Sequence, residues 1–258
     1  YLPMKPTTQA TGFNTVLYAG NNGTQAITGV GFTPDFVWIK QRTDTSSNVL
    51  SDTVRGAGKS ILSNSTNAED TNNIYGYLSA FNSNGFTVST GTSNAGRTNE
   101  TSDNYVAWCW DAGGSTVSNT NGTINSQVRA NPSTGFSIVT YTGNETAGAT
   151  VGHGLGIAPK MVITKNRDAA GYGWLVGHAS ITFNKNLVLN TNAAESTETA
   201  IFNDTAPSST VFTLGSDTFG NKSGDDYVAY CFADVTGYQK LGSYTGNGST
   251  SGPTVTTG

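Results

Sequence analysis

Apolar and polar residues alternate along this chain in short runs, and turn residues close each run. NTVLYA (14–19), DFVWIKQ (35–41), NVLSD (48–52), GYLSAF (76–81), GFTVST (85–90) and NYVAWCW (104–110) read as strands. A second series follows: GFSIVTY (135–141), KMVITKN (160–166), GWLVGH (173–178), NLVLN (186–190), SSTVFTLG (208–215) and DYVAYCF (226–232). Helical spacing is almost absent, because Gly or Asn interrupts each window that begins an i, i+3/i+4, i+7 pattern. In NYVAWCW both faces are apolar, Tyr105, Ala107 and Cys109 on one and Val106, Trp108 and Trp110 on the other. Such a strand is central in its sheet and covered on both sides. With helices lacking, the covers expected are a second sheet on one side and loops or a neighbouring subunit on the other.

The two series repeat one another. GFSIVTYTGN at 135–144 answers GFNTVLYAGN at 12–21, GIAPKMVITKNR at 156–167 answers GFTPDFVWIKQR at 31–42, and YVAYCF at 227–232 answers YVAWCW at 105–110. A third copy of the opening phrase, YQKLGSYTGNG, begins at Tyr238. Repetition at this length points to a modular object before it points to a catalyst. The expected fold is all-β: two tandem antiparallel β-sandwich domains, jelly-roll-like, related by internal duplication, plus the start of a third unit. The boundaries fall at an N-terminal linker (1–10), repeat one (11–112), a linker or edge hairpin (113–134), repeat two (135–236) and the incomplete third unit (237–258). Successive units are expected close together, like beads on a rod. In Gly12-Phe13, Gly85-Phe86 and Gly135-Phe136, a glycine able to take positive φ closes a turn and an aromatic then anchors the strand in the core.

Composition narrows the function classes. Charged residues make up 12% of the 258, well below the roughly 25% of ordinary soluble domains, and the 32 Gly sit among abundant Thr, Ser and Asn. Four Trp, 11 Tyr and 11 Phe placed inside the alternating runs argue for packed cores rather than disorder. A net charge of −4 without a Lys/Arg run argues against nucleic-acid binding. No apolar stretch approaches the roughly 18 residues of a membrane helix, so membrane insertion is not expected. The opening YLPMKP lacks an initiator Met, which suits a fragment of a longer protein. Cys109 and Cys231 hold equivalent positions in separate cores, so buried free thiols are expected rather than a bridge.

Candidate chemistry is sparse. The two histidines, His153 and His178, both lie in repeat two, so no imidazole site belongs to the common unit. No GxSxG elbow or phosphate loop occurs. Glu69 and Glu195, like Asp103 and Asp225, recur in both copies, which favours turn and capping roles over catalysis. No cofactor is expected; calcium is left open by the acidic loops NAED and SGDD, which carry few oxygen ligands. No catalytic or metal residue is assigned, and the chain is not expected to be an enzyme. Repeat one carries Asp52-Thr53-Val54-Arg55-Gly56 where repeat two has Gly177-His178-Ala179-Ser180. Asp52 and Arg55 are placed to pin their loop by an ion pair or to face a partner or ligand. Aromatics such as Tyr75, Tyr77, Trp110, Tyr172 and Trp174 lie near loop or strand ends, where a sugar site would need them. Asp52, Arg55, Trp110, Tyr172, Trp174 and His178 are therefore the candidate ligand or partner contacts.

Long phrases carry a resemblance. YAGNNGTQAITGVGFTPDFVWIKQR, LSDTVRGAGKSILSNSTNAED, NYVAWCWDAGG, VGHGLGIAPKMVITKNRD and DDYVAYCFADVTGYQKLGSYTGNG resemble a tandem module in tail-fibre and other virion structural proteins of marine tailed phages, cyanophages among them. The resemblance covers about residues 11–250. It implies a segment of a long, often trimeric virion appendage, exposed on the particle and reaching toward the host surface. Its partners would be other copies of itself, other virion proteins and a host-surface glycan or receptor. It brings no catalytic residues, and it includes the Asp52, Arg55, Gly56 element without assigning it a role. A carbohydrate-binding, lectin-like adhesin is the alternative reading, and a glycan depolymerase a further one.

Overall fold

The computed structural model describes residues 12–256; the linker expected over 1–10 lies outside them. Pairings between named strands are all antiparallel, so the fold is all-β in class with several antiparallel sheets. The first half contains β1 (Phe13–Ala19), β2 (Gln25–Thr28), β3 (Phe36–Gln41), β4 (Val49–Asp52), β5 (Ile61–Leu62), β6 (Tyr77–Asn82), β7 (Gly85–Ser89) and β8 (Asn104–Trp110). These build a five-stranded sheet, β1-β8-β3-β4-β5, and a three-stranded sheet, β2-β7-β6.

The second half contains β9 (Val117–Asn119), β10 (Ser126–Asn131), β11 (Phe136–Thr142), β12 (Ala149–Gly152), β13 (Met161–Asn166), β14 (Leu175–His178), β15 (Thr182–Val188), β16 (Ser196–Thr197), β17 (Val211–Leu214) and β18 (Asp226–Phe232). Two single-turn helices, α1 (Thr199–Phe202) and α2 (Thr218–Asn221), are capped by the Glu198 and Asp217 side chains. The large sheet runs β16-β15-β14-β13-β18-β11-β10-β9, with β12-β17 as a separate pair. Hairpin β9–β10 occupies its edge, joined through β10 to β11. Residues 237–256 add no named strand.

Strand order coincides between the halves: β1-β8-β3-β4-β5 in the first, β11-β18-β13-β14-β15 in the second. Register coincides too, with Cys109 opposite Val37 and Cys231 opposite Val162. Tyr18 stacks on Tyr105 at 5.1 Å, and Tyr141 on Tyr227 at 5.1 Å. The hydroxyl of Tyr18 donates to the Thr98 carbonyl and that of Tyr141 to the Gly220 carbonyl, each at 2.8 Å.

In each half, buried residues of the large and small sheets share one cluster. In the first, Val37, Ile39, Tyr105, Ala107 and Cys109 meet Ile27, Leu78, Phe86 and Val88. In the second, Val139, Tyr227, Ala229 and Cys231 meet Val151, Phe212 and Leu214, with Ile201 and Phe202 of α1. Both cysteines are buried and free. Gly12, Gly85 and Gly135 all take positive φ, and at Gly85 a Cβ would stand 1.9 Å from the Ile27 carbonyl oxygen. Phe86 and Phe136 are buried as expected of strand anchors, but Phe13 is 37% exposed. It lies at a rim, 4.9 Å from Trp110, rather than inside a core.

A third cluster sits between the halves. Phe36, Leu50, Ile61 and Ala112 of the first pack against Phe136, Ile138, Trp174, Val228, Tyr230 and Phe232 of the second. The second cover of β18, expected from loops or a neighbouring subunit, therefore comes from the other half of the same chain; of the corresponding face of β8 only Trp110 joins this cluster, and Val106 and Trp108 are half-buried outside it. Burial inside one chain thus accounts for Phe36, Phe136, Trp174 and Tyr230, which the pattern alone assigns to an unspecified cover.

Candidate functional site

Most of the candidate residues converge on this seam. Its apolar part is a layer of rings: Phe36 lies 4.5 Å from Tyr230, 5.2 Å from Trp110 and 5.7 Å from Phe136, and Phe136 lies 4.9 Å from Phe232. Their tilted packing is the geometry that ring quadrupoles favour. Trp174 is fully buried, stacks on Tyr230 and donates its Nε1 hydrogen to the Leu62 carbonyl at 2.9 Å, so its one polar atom is satisfied across the seam.

The polar part is built on the tight turn after β4. The Asp52 carboxylate accepts from the Arg55 backbone N–H at 2.8 Å and from Arg55 Nε at 2.5 Å. Arg55 also reaches the Leu50 carbonyl (3.0 Å), Glu69 (2.9 Å) and the Tyr230 hydroxyl (3.3 Å), while that hydroxyl donates to Asp52 at 2.8 Å. Glu69 in turn accepts from Arg167 of the second half at 2.9 and 3.2 Å. Burial alone would lower the Arg55 pKa, but Asp52, Tyr230 and Glu69 hold it above its ordinary value. Burial likewise opposes ionisation of Glu69, yet hydrogen bonds and charge from Arg167 and Arg55 keep its carboxyl below the usual range. Each guanidinium nitrogen of Arg55 thus meets at least one acceptor, the condition under which a buried charge is tolerated. A second ionic link joins Asp35 to Arg129 of β10 at 2.8 Å. Burial dominates there and pushes the Asp35 carboxyl up to about 6 against the pull of Arg129 and the Ala112 N–H.

Asp52, Arg55 and Trp174 are therefore enclosed; what they face is the other half of their own chain. Trp110 belongs to the same ring layer and is half-buried. Tyr172 and His178 stand elsewhere. The Tyr172 ring meets Phe219 edge-on at 5.1 Å with Lys222 Nζ 5.8 Å from its centre. His178 accepts from the Ser180 N–H at 3.0 Å, and burial lowers its pKa against the opposing charge of Asp234. His153 is buried, bonded to the Leu155 N–H and the Ser208 carbonyl. Glu69 and Glu195, equivalent in sequence, differ in role: Glu69 enters the seam, whereas Glu195 pairs with Lys185 at 2.5 Å on the surface. Among the described residues no group of three His, Cys, Asp or Glu side chains is placed to hold a metal ion. Tyr230, Glu69 and Arg167 had no sequence signal as a set, because they come from three separated segments.

Among the open depressions at the surface of the described residues, two are lined by polar and aromatic side chains. One, of about 450 Å³, lies over the seam between Trp38, Asn48 and Asn64 on one side and Leu189, Asn190 and Asn192 on the other. The other, of about 670 Å³, lies at the end of the first half around Tyr75 and Arg97.

Residues 8–258 match a family described as a domain of unknown function, DUF7483. No curated protein and no solved structure matches the chain.

Proposed function

We propose that this chain, which belongs to the DUF7483 family, is a non-catalytic structural segment of a phage virion appendage of the fibre type, projecting from the particle and supporting host-surface attachment. In this reading it consists of two β-sandwich units that arose by duplication, and residues from 237 onward begin a third. The coincident strand orders and the paired Tyr18/Tyr105 and Tyr141/Tyr227 stacks support the duplication. Copies of the chain would meet as a homotrimer alongside other virion proteins on the exposed face of the particle.

The observation that carries the reading is the seam. Rings from both halves and the Asp52–Arg55–Glu69–Arg167 chain of ion pairs tie two units into one stiff block, which suits a part that must transmit position and force rather than open and close. Few charges and many hydroxyl and amide side chains give it a surface that meets water by hydrogen bonding. The test is mass spectrometry and antibody-gold labelling of purified particles made from the genome that encodes this chain. The reading predicts that the chain copurifies with particles and that gold marks a projecting appendage. Its absence from particles would overturn the proposal.

A further inference from the structure

We infer that the groove at the end of the first half is a binding site for neutral saccharides, with Tyr75 as its stacking platform. The groove, about 670 Å³, falls in the size range of small-ligand sites. Tyr75 is 41% exposed, and the Arg97 guanidinium lies over its ring 4.6 Å from the centre. Arg97 is itself held by Asp70 at 2.7 Å. The aromatic surface is thus fixed before any ligand arrives, which lowers the entropic cost of binding. An exposed, rigid aromatic face beside polar groups is what the apolar C–H face of a sugar ring requires.

The polar wall has unused capacity. Gln41 is 2% exposed and spends its amide N–H on Asp103, while its Oε1 has no hydrogen-bond partner. A buried acceptor in that state is costly unless a donor reaches it; the oxygen is closed to solvent, so a sugar hydroxyl in the groove would satisfy it once the Gln41 side chain turns toward the groove. Asn94 engages Oδ1 with the Gly96 N–H, leaving Nδ2 without a partner among the described residues. The hydroxyls of Ser46 and Ser47, which also line the groove, make no bond among the described residues.

The second half differs at the equivalent place in its polar groups. Tyr227 occupies the position of Tyr105, its hydroxyl accepting from Lys222 N–H as Tyr105 accepts from Glu100 N–H, so Phe219 stands where the first half has Arg97. Asn166 replaces Gln41 and is fully satisfied: Nδ2 donates to Asp225 and Tyr227, and Oδ1 accepts from the Asp168 and Ala169 N–H groups. Phe219 and Tyr172 pack on each other there. A ring is exposed at both positions, Phe219 and Tyr75 each at 41%, but the polar group beside it is fully paired in the second half and keeps an orphan acceptor in the first.

Charge selects the class of sugar. Asp44, Glu100 and Asp103 line the groove against two cations, the Arg97 guanidinium, engaged with Asp70, and the Lys40 ammonium, which donates to the Asp44 and Ser46 carbonyls at its edge. Uronic or sialic acid residues would meet a net excess of carboxylate charge, whereas neutral hexoses and N-acetylhexosamines would not. The site stands on its own geometry and rests on the attachment reading only for its biological meaning, so failure of particle labelling would leave it intact.

The test is an array of neutral and acidic bacterial polysaccharides probed with the full chain, followed by calorimetric titration of a retained neutral oligosaccharide. The expected result is retention of neutral glycans, with Tyr75→Ala weakening affinity about tenfold or more while the variant still unfolds in one cooperative transition. Tyr172→Ala, in the second half, should bind as the parent does. Retention of no neutral glycan, preference for acidic ones, or parental affinity in Tyr75→Ala would each overturn the assignment.

Discussion

The Tyr230 hydroxyl donates to the Asp52 carboxylate at 2.8 Å, joining residues 178 positions apart. The same oxygen is also 3.3 Å from an Arg55 guanidinium nitrogen, so one phenol bridges both members of a buried ion pair. Removing Arg55 would leave Asp52 and Glu69 without their shared cation inside the seam. Arg55→Ala is expected to cost about 3–5 kcal/mol, and Arg55→Lys to recover little, because an ammonium cannot reproduce the planar set of directed bonds. Tyr230→Phe keeps the ring and loses only the bridge, at about 1–2 kcal/mol. Urea unfolding of the three variants measures all of these; an Arg55→Ala midpoint equal to the parent's would contradict the assignment.

Lys165 on β13 is fully buried, and its Nζ donates only to the Asn166 carbonyl, at 2.9 Å. Burial pulls its pKa down from 10.5 to about 8. A base with a depressed folded pKa makes the folded state bind fewer protons than the unfolded chain between those values. Stability from this group therefore rises as pH climbs from about 8 to 10.5 and is lost below. Lys165→Met removes the burden at neutral pH and is expected to stabilise by something on the order of 2 kcal/mol, an advantage that shrinks above pH 8. Thermal melts at pH 7 and pH 10 check both the sign and the trend.

The thiols give a third expectation. Burial pushes both Cys109 and Cys231 up to about 12, with Ser137 pulling slightly the other way at Cys231. Neither is expected to react with an aromatic disulfide reagent in the folded protein at pH 8, and both should react once urea unfolds it. Fast labelling of either thiol without denaturant would show that its core opens.

Much of this arrangement is legible in the residues, and the limits are physical. Strict alternation in NYVAWCW and DYVAYCF places Cys109 and Cys231 on one face and Trp110 and Phe232 on the other, and both faces are apolar. That pattern reveals two covers but not their source, since periodicity carries no information about which distant segment supplies the second. The i, i+3 spacing of Asp52 and Arg55 announces their ion pair; Glu69, Arg167 and Tyr230 join it only because two sheets meet. Trp174, at a predicted strand start, looks from the sequence like a stacking platform and is instead enclosed. The short strands β2, β5 and β12 escape notice because two to four residues cannot display a period. In the groove, Tyr75 stands out as an aromatic in a loop, whereas Gln41 matters only for an unpaired oxygen that no sequence pattern marks.

The ring layer sets the size of the seam's contribution. Trp174→Ala removes a fully buried indole together with its bond to Leu62 and is expected to cost about 3–5 kcal/mol. Trp174→Phe should cost less, since it keeps a ring against Tyr230. Chemical denaturation orders the two, and equal losses would place the cost in the Leu62 bond rather than in packing.

Native-state hydrogen exchange on β8 and β18 tests most directly whether the seam makes one block of the two halves. If it does, the amides of Tyr105–Cys109 and Tyr227–Cys231 open with a common free energy, and Trp174→Ala lowers protection in both strands by the same amount. Loss confined to β18, with β8 as protected as in the parent, would mean that the halves are stable independently and that the seam joins them without coupling them.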